Sequence, residues 1–333
     1  MEMENKKLKS VVTGASGFVG SHLVDLLIEK GHEVVCILRK SSSRRWLEGK
    51  PVQIVDAGLF DYDALKEVLK DADYLFHVAG VVKSKSDEGY TRGNVETTKS
   101  LLEVVAKNNR NIKKIVIVSS QTAGGPSLSE KARIESDLAS PITRYGKSKL
   151  EQEKLAQSYM DILPITIVRP PAVYGERDTE IYLVFKTYKS GLMTLVGFDK
   201  KKLSLVYVKD LVNGIYLAAV SENSKGETYY IGPEEYYDWD IVSEAIKKAF
   251  GKSALKLRIP HSIVYVVAYI AQFFSMFSKN AATFNIEKAR DFVQRYWTCD
   301  VSKAKEQLGY KQQYTLQEGM DRTIAWYKEN KWL

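Results

Sequence analysis

The feature that most constrains this chain is an alternation. Six short runs rich in β-branched residues lie in its first half: KSVVTG (9–14), EVVCILR (33–39), VQIVD (52–56), YLFHVAG (74–80), IVIVSS (115–120) and ITIVRP (165–170). Between them stand SHLVDLLIEKG, YDALKEVLKDA, VETTKSLLEVVAKNN and YGKSKLEQEKLAQSYM, each with apolar residues at helical spacing. Strands separated by helices of this length pair in parallel, because each helix must carry the chain back to the starting edge. The strands are nearly continuous in apolar residues, as expected of a sheet covered on both faces. The fold class is therefore α/β, a Rossmann-type doubly wound parallel sheet.

After Pro170 the rhythm loosens. IYLVFKTYKSG reads as a helix, SLVYV (204–208) as a strand, KDLVNGIYLAAVSE as a helix, ETYYIG as a strand and WDIVSEAIKKAFG as a helix. An apolar run, a helix near 285–295 and a closing helix within LQEGMDRTIAWYKENKWL follow. This pattern predicts a dinucleotide-binding domain over 1–175, with 203–232 returning to it. A smaller, helix-rich substrate region then spans 176–202 and 233–333.

The first strand runs into VVTGASGFVGSHLVDLL, which sets Gly14, Gly17 and Gly20 between strand and helix. One glycine permits the tight turn, one lets backbone approach a pyrophosphate, and one lets helix pack on strand. The helix N-terminus adds amide donors and the positive dipole end. Residues Gly14 to Gly20, with Ser16, Phe18 and Val19, are expected to contact a dinucleotide. The second strand ends in LRKSSSRRW. An NAD site of this kind has an acid here for the ribose 2′-hydroxyl; this chain offers Arg39, Lys40, Arg44 and Arg45, which suit a 2′-phosphate. NADP(H) is favoured over NAD(H).

The fifth strand ends in VSSQTA, at the carboxyl edge where doubly wound sheets bind ligands. Ser119 and Ser120 are expected to point toward the nicotinamide. RYGKSKLEQEK (144–154) then places Tyr145 and Lys149 on one helix face. A free phenol titrates near ~10 and is a poor base. A neighbouring ammonium and a cationic nicotinamide would lower that value, so that Tyr145 exchanges a proton as hydride moves. Ser120 would hold the substrate oxygen. The trailing LEQEK reads as a charged, solvated helix face.

Together TGASGFVG, HVAG, SSQTA, YGKSK, RPPAVYG and VYVKDL, in this order across residues 8–215, resemble the extended branch of the short-chain dehydrogenase/reductase superfamily, the epimerase/dehydratase-like enzymes. Among its members, hydroxysteroid dehydrogenases and dihydroflavonol reductases are nearest in pattern. The resemblance implies Ser120, Tyr145 and Lys149 as catalytic, with Lys149 also on the ribose, and Asn94 supporting an active-site water network. It further implies Ala79 and Gly80 near the nicotinamide ribose and Pro170 to Val173, including Ala172, along the nicotinamide. The acid that the family sets against adenine aligns with Gly58, with Asp56 two residues earlier, leaving Leu59 as a backbone contact. Tyr207 and Lys209 stand where the branch has His and Asp. A homodimer through two helices is also implied, with VETTKSLLEVVAKNN and SKLEQEKLAQSYM as the candidates.

Composition narrows the partners. The chain has 333 residues, a formal charge of +8 and two cysteines. Its basic residues are mixed with acids and form no aromatic-interleaved stripe, so nucleic acid is not expected. Neither a zinc site nor a disulfide framework is expected, and a cytoplasmic protein without a signal peptide is. Gln121 and Thr122 follow Ser120 where a dehydratase would carry an acid pair, so dehydration is disfavoured. A nucleotide-sugar enzyme would need cations for a second pyrophosphate; Arg177, Lys186, Lys189 and Lys200 to Lys202 are the candidates, with a solvated surface as the alternative. The run IVYVVAYIAQFFSMF (263–277) is too short to span a bilayer. A core helix is the favoured reading, with a pocket wall or peripheral membrane contact as alternatives. The expected enzyme is an NADP(H)-dependent oxidoreductase acting on a steroid-, terpenoid- or flavonoid-like alcohol or ketone. The alternatives are a nucleotide-sugar epimerase with tightly bound NAD and a non-catalytic dinucleotide-binding protein.

Overall fold

The computed structural model describes residues 7–275, 277 and 284–333. The expectation of a charged amino terminus without a signal peptide falls on residues 1–6, outside the described residues. The six expected strands form where the β-branched runs lie: β1 (Lys9–Thr13), β2 (Glu33–Leu38), β3 (Val52–Asp56), β4 (Tyr74–His77), β5 (Lys114–Val118) and β6 (Ile165–Arg169). With Thr228–Tyr230 they make one seven-stranded sheet in the order Thr228–Tyr230, β6, β5, β4, β1, β2, β3. Every pair in it is parallel.

Side chains alternate across this sheet as the pleat requires. Val12, Val34, Cys36 and Leu38 enter one core, with α1 (Phe18–Glu29) and the helix Val208–Val220. Val11, Val35 and Ile37 enter the other, with α2 (Tyr62–Leu69). The short α3 (Asp87–Tyr90) leads through a π-helical turn, Thr91–Glu96, into α4 (Thr97–Asn108), which also packs on the second face. A single turn, α5 (Gln121–Gly124), follows β5, and α6 (Arg144–Gln157) completes that side. Strand order reverses between β1 and β4, and a crevice at such a reversal is where a doubly wound sheet takes its ligand.

The expected strand at 204–208 forms over Leu205–Tyr207 and pairs with Ala172–Tyr174, beside the main sheet. Two small sheets were not foreseen. Leu192–Val196 pairs with Leu255–Ile259, and Lys202–Leu203 pairs with Tyr237–Asp238 and Tyr296–Trp297. In the second of these sheets the strands are two residues long and leave no period to read. The closing helix, Leu316–Glu329, starts with a capping box of Thr315 and Glu318.

The apolar run folds as a helix, His261–Ser275, but the favoured core reading is wrong. Only Val264 and Ala268 of this helix are buried. Ile263, Val266, Val267, Ile270, Phe273 and Phe274 are all 48% or more exposed. One face packs on Ala289, Ile286 and Val293, and no described element covers the rest. Met276 of that run lies outside the described residues.

Candidate active site

The glycine loop has the geometry its spacing requires. Gly14 adopts φ +72°, and a Cβ there would come within 2.6 Å of the Ala79 backbone nitrogen. A Cβ on Gly20 would come within 2.2 Å of the Gly14 carbonyl oxygen. The loops after β1 and β4 thus touch, and both contacts exclude a side chain. Gly17 caps α1 with no side-chain bond, and the helix has no acid in its first turn. The leading amides of α1 are left to an outside acceptor, and the dipole favours an anion there. Ser16, Phe18 and Val19 are part-exposed around this end. The loop fits a dinucleotide pyrophosphate.

At the end of β2 the four cations separate into two kinds. Arg44 donates to both carboxylate oxygens of Asp56 at 2.6 Å. Arg45 lies 4.4 Å over the ring of Trp46. Arg39 and Lys40 are exposed, and their side chains make no hydrogen bond or ion pair among the described residues. Asp56, two residues short of the expected adenine acid, is thus engaged by Arg44, and Leu59 is part-exposed nearby in sequence.

Ser120, Tyr145 and Lys149 converge. Ser120 ends the β5 segment as the N-cap of α5; its Oγ accepts from the Thr122 amide at 3.2 Å and the Thr122 hydroxyl at 2.9 Å. Thr143 caps α6, its Oγ1 accepting from Gly146, so the helix starts at Arg144 with Tyr145 in its first turn. The Ser120 hydroxyl lies near enough to the Tyr145 phenol to pull its titration down. Lys149 Nζ donates to the Val118 carbonyl at 2.8 Å, beneath Gly80.

Two expectations about this cluster need correction. Burial pushes the Tyr145 phenol up, to about 12, against the opposing pull of Ser120; it is not lowered in the protein alone. Burial also pulls Lys149 down to about 8, with Glu153 acting the other way. Ser119 does not point to the nicotinamide side. Its hydroxyl donates to Glu153 Oε1.

Glu153 itself corrects the reading of LEQEK as a solvated face. Gln152 and Glu153 are buried. Glu153 accepts from Arg169 Nε at 2.9 Å and Nη2 at 2.7 Å. Tyr145, Lys149 and Glu153 are spaced by four, so one helix face carries the phenol, the ammonium and the carboxylate. That spacing was a signal the sequence offered.

Asn94 lies in the π-helical turn, fully buried. Its Oδ1 accepts from the Val81 amide at 2.7 Å, and its Nδ2 donates to the Val81 carbonyl at 3.1 Å and to Ser148 Oγ at 2.9 Å. It fastens the loop after Gly80 to α6. Pro170 accepts from the Gln121 amide at 2.8 Å, which fixes the β6 exit against α5; Ala172 and Val173 continue outward, exposed and part-exposed. Sequence reasoning missed Tyr90, whose ring centroid lies 6.3 Å from that of Tyr145. It also missed Asp291, which acts electrostatically on Tyr145 and whose own carboxyl burial raises to about 7.

Several candidate sugar-nucleotide cations have partners inside the chain. Arg177, in the left-handed region at φ 69°, donates to Ser21 Oγ and Asp25. Lys201 donates to Asp199 and to the Val293 and Gln294 carbonyls, and Lys202 pairs with Glu130. A cavity of about 810 Å³ flanks α6, between it and the segment Asn285–Arg290. Its wall includes Tyr90, Arg144, Glu151 and Arg290. Neither Ser120 nor Tyr145 lines it. Among the described residues no group of His, Cys, Asp and Glu could hold a metal, and both cysteines are buried and free.

The model of the NAD dependent epimerase/dehydratase family matches residues 10–232. Among known proteins, a ceramide reductase of Caulobacter vibrioides is 25% identical over 329 residues, covering 97% of this chain and 95% of the relative. An uncharacterized UDP-glucose epimerase, YtcB, of Bacillus subtilis is 28% identical over 342 residues, covering 96% and 98%. The solved UDP-glucuronic acid 4-epimerase of Bacillus cereus in complex with NAD superposes with a TM-score of 0.79 at 24% identity, covering 97% of this chain and 99% of that one.

Proposed function

The chain belongs to the NAD dependent epimerase/dehydratase family, and on that premise we propose that it is an NADP(H)-dependent reductase of a hydrophobic ketone, with Tyr145 as the proton donor. The observation that carries this reading is the division of its cations. Arg39 and Lys40, at the exit of β2, have side chains without a polar partner among the described residues. Arg177, Lys201 and Lys202, which a sugar nucleotide would recruit, are held by acids. Charge is thus available for a 2′-phosphate at Arg39 and Lys40, while of the six sugar-nucleotide candidates three are held by acids and Lys186, Lys189 and Lys200 stay exposed without a side-chain partner among the described residues. Similarity to a ceramide reductase and to the 3β-hydroxysteroid dehydrogenase/isomerase of Mycobacterium tuberculosis supports an apolar substrate.

Gly14 to Gly20 would hold the pyrophosphate, Arg39 and Lys40 the 2′-phosphate, and Lys149 the ribose hydroxyls beneath Gly80. When bound, the dinucleotide supplies the hydride. The protein supplies the rest. Ser120 Oγ holds the carbonyl oxygen next to the Tyr145 hydroxyl. Tyr145 is a phenol at neutral pH, since burial holds its proton, and that is the state a reduction needs. The proton passes to the substrate oxygen as the carbonyl carbon is reduced, and solvent returns it to Tyr145. Arg169 and Glu153 hold the lower half of this helix face, so that Lys149 keeps its direction. Two buried, free thiols suit a reducing, cytoplasmic setting.

Epimerisation of a sugar nucleotide is the second reading, favoured by the likeness to YtcB along its whole length. Steady-state turnover with each cofactor separates them. The reductase reading expects net consumption of NADPH with steroid or long-chain ketones, and a kcat/KM at least about tenfold below it for NADH. Conversion of a UDP-sugar with no net change in cofactor redox state would sink it. Tyr145→Phe should lower kcat by about 10²- to 10⁴-fold while leaving cofactor binding intact.

A further inference from the structure

We propose that the helix His261–Ser275, with Phe277, is a docking surface for an anionic phospholipid bilayer. Its outward aliphatic and phenylalanine residues fall at 263, 266, 267, 270, 273, 274 and 277, the spacing of a single helical stripe, with Tyr269 exposed beside them. These residues are between 48% and 78% exposed. Such a stripe ordinarily faces a core, and an exposed apolar patch of this kind marks a contact surface. The helix contains no Asp, Glu, Lys or Arg. Its opposite face is anchored through Val264 and Ala268 on Ala289. Fifteen residues span about 22 Å, short of the ~30 Å of a hydrocarbon core, and no helix among the described residues is long and apolar enough to cross a membrane. The helix therefore lies on a bilayer rather than across it.

Charge selects the occupant. Residues 255–293, from the strand that leads into this helix to the end of its packing partner, carry five basic residues and two acidic ones. In that strand Lys256 and Arg258 alternate with Leu255 and Leu257, which are 71% and 48% exposed. Both cations share the single carboxylate of Asp240, itself exposed, so the strand keeps a net positive charge. A second copy of the chain would bring the same uncharged stripe and the same basic flank, and where the two-fold axis runs near the flank the two copies of it repel. An anionic bilayer satisfies the apolar stripe and the flank together.

The surface is tied to the active site. Lys85 donates to the Ser275 carbonyl at the helix end. Glu287, on the helix packed behind it, accepts from the backbone amide of Arg144, the residue before Tyr145. Docking would set the substrate side of α6 beside the membrane, where an apolar ketone is concentrated. The proposal stands on exposure and charge, and its test uses no substrate, so it fails or holds separately from the reductase reading.

The experiment is vesicle flotation of the full chain with phosphatidylglycerol/phosphatidylcholine vesicles and with pure phosphatidylcholine vesicles. We expect binding to the anionic vesicles at least tenfold stronger than to the neutral ones. The double variant Ile270→Ser/Phe274→Ser should lose it tenfold or more, with thermal melting and NADPH binding unchanged. Lys256→Glu/Arg258→Glu, which leaves the stripe intact, should weaken only the anionic binding. Absence of vesicle binding overturns the proposal, as does equal binding to both vesicle types. So does binding that the stripe variant retains, or self-association that it abolishes in place of vesicle binding.

Discussion

At Tyr145 and Lys149 the protein holds two groups in the protonation states that the proposed reduction would use. Burial raises the phenol to about 12 and lowers the ammonium to about 8. Lys149 is thus charged below about pH 8 and loses its proton above it, while Tyr145 keeps its proton throughout that range. Ketone reduction is therefore expected to hold a plateau at lower pH and to fall as pH rises past about 8. A rate that stays flat through the ordinary lysine range, near ~10, would contradict this. That the pair and Ser120 come together was legible in the sequence, because an i, i+4 spacing sets two side chains on one helix face and the end of β5 lies at the ligand-binding edge. Glu153 was not read, although it sits four residues beyond Lys149. Its partner Arg169 comes from β6, and spacing along a helix does not say which side a sheet will cover. Breaking a buried pair leaves one charge uncompensated, so Glu153→Ala should cost about 3–5 kcal/mol in urea unfolding. A loss below about 1 kcal/mol would place the pair among weak surface bridges.

The elements that hold these residues were legible to different degrees. The strands of the main sheet and the glycine loop follow from β-branched runs and from three glycines at fixed spacing. Gly14 is the stringent position, since φ +72° and a 2.6 Å approach to Ala79 both exclude a side chain. Gly14→Ala is expected to raise the dissociation constant of NADPH by more than about tenfold, from backbone strain of order 1–3 kcal/mol, read by fluorescence titration. At the β2 exit, Arg39→Ser should raise the KM for NADPH about tenfold and leave that for NADH nearly unchanged, as loss of one charge-assisted contact predicts. Equal effects on both cofactors would assign Arg39 to the solvated surface. Helix 261–275 was misread because apolar residues all round a helix describe the side chains and not their neighbours. Two small residues, Ala268 and Ala289, let it pack tightly on one side, and no described element covers the other. The π-helical turn at Thr91–Glu96 left no sequence period, yet it sets Asn94 between Val81 and Ser148.

Across the whole molecule, the parallel sheet provides a rigid edge on which three loops and one helix start converge. The carboxyl half adds what the sheet lacks. Its strand Thr228–Tyr230 closes the sheet beside β6, and Tyr230 packs against Arg169 of the buried pair. The closing helix reaches the β2 loop through Trp326 and Trp46, 5.7 Å between ring centroids. These long-range contacts join the cofactor edge to the end of the chain, and no local pattern announces them. The substrate was the least legible part, because it depends on which surfaces remain uncovered after packing. The central claim is hydride transfer from NADPH to a hydrophobic ketone, and isotope transfer tests it most directly. NADPH deuterated at the hydride-bearing nicotinamide carbon should deliver its label to the carbinol carbon of the product alcohol, with one cofactor oxidised per product. Recovery of an epimerised UDP-sugar with no deuterium from added NADPH and no oxidised cofactor would contradict the account.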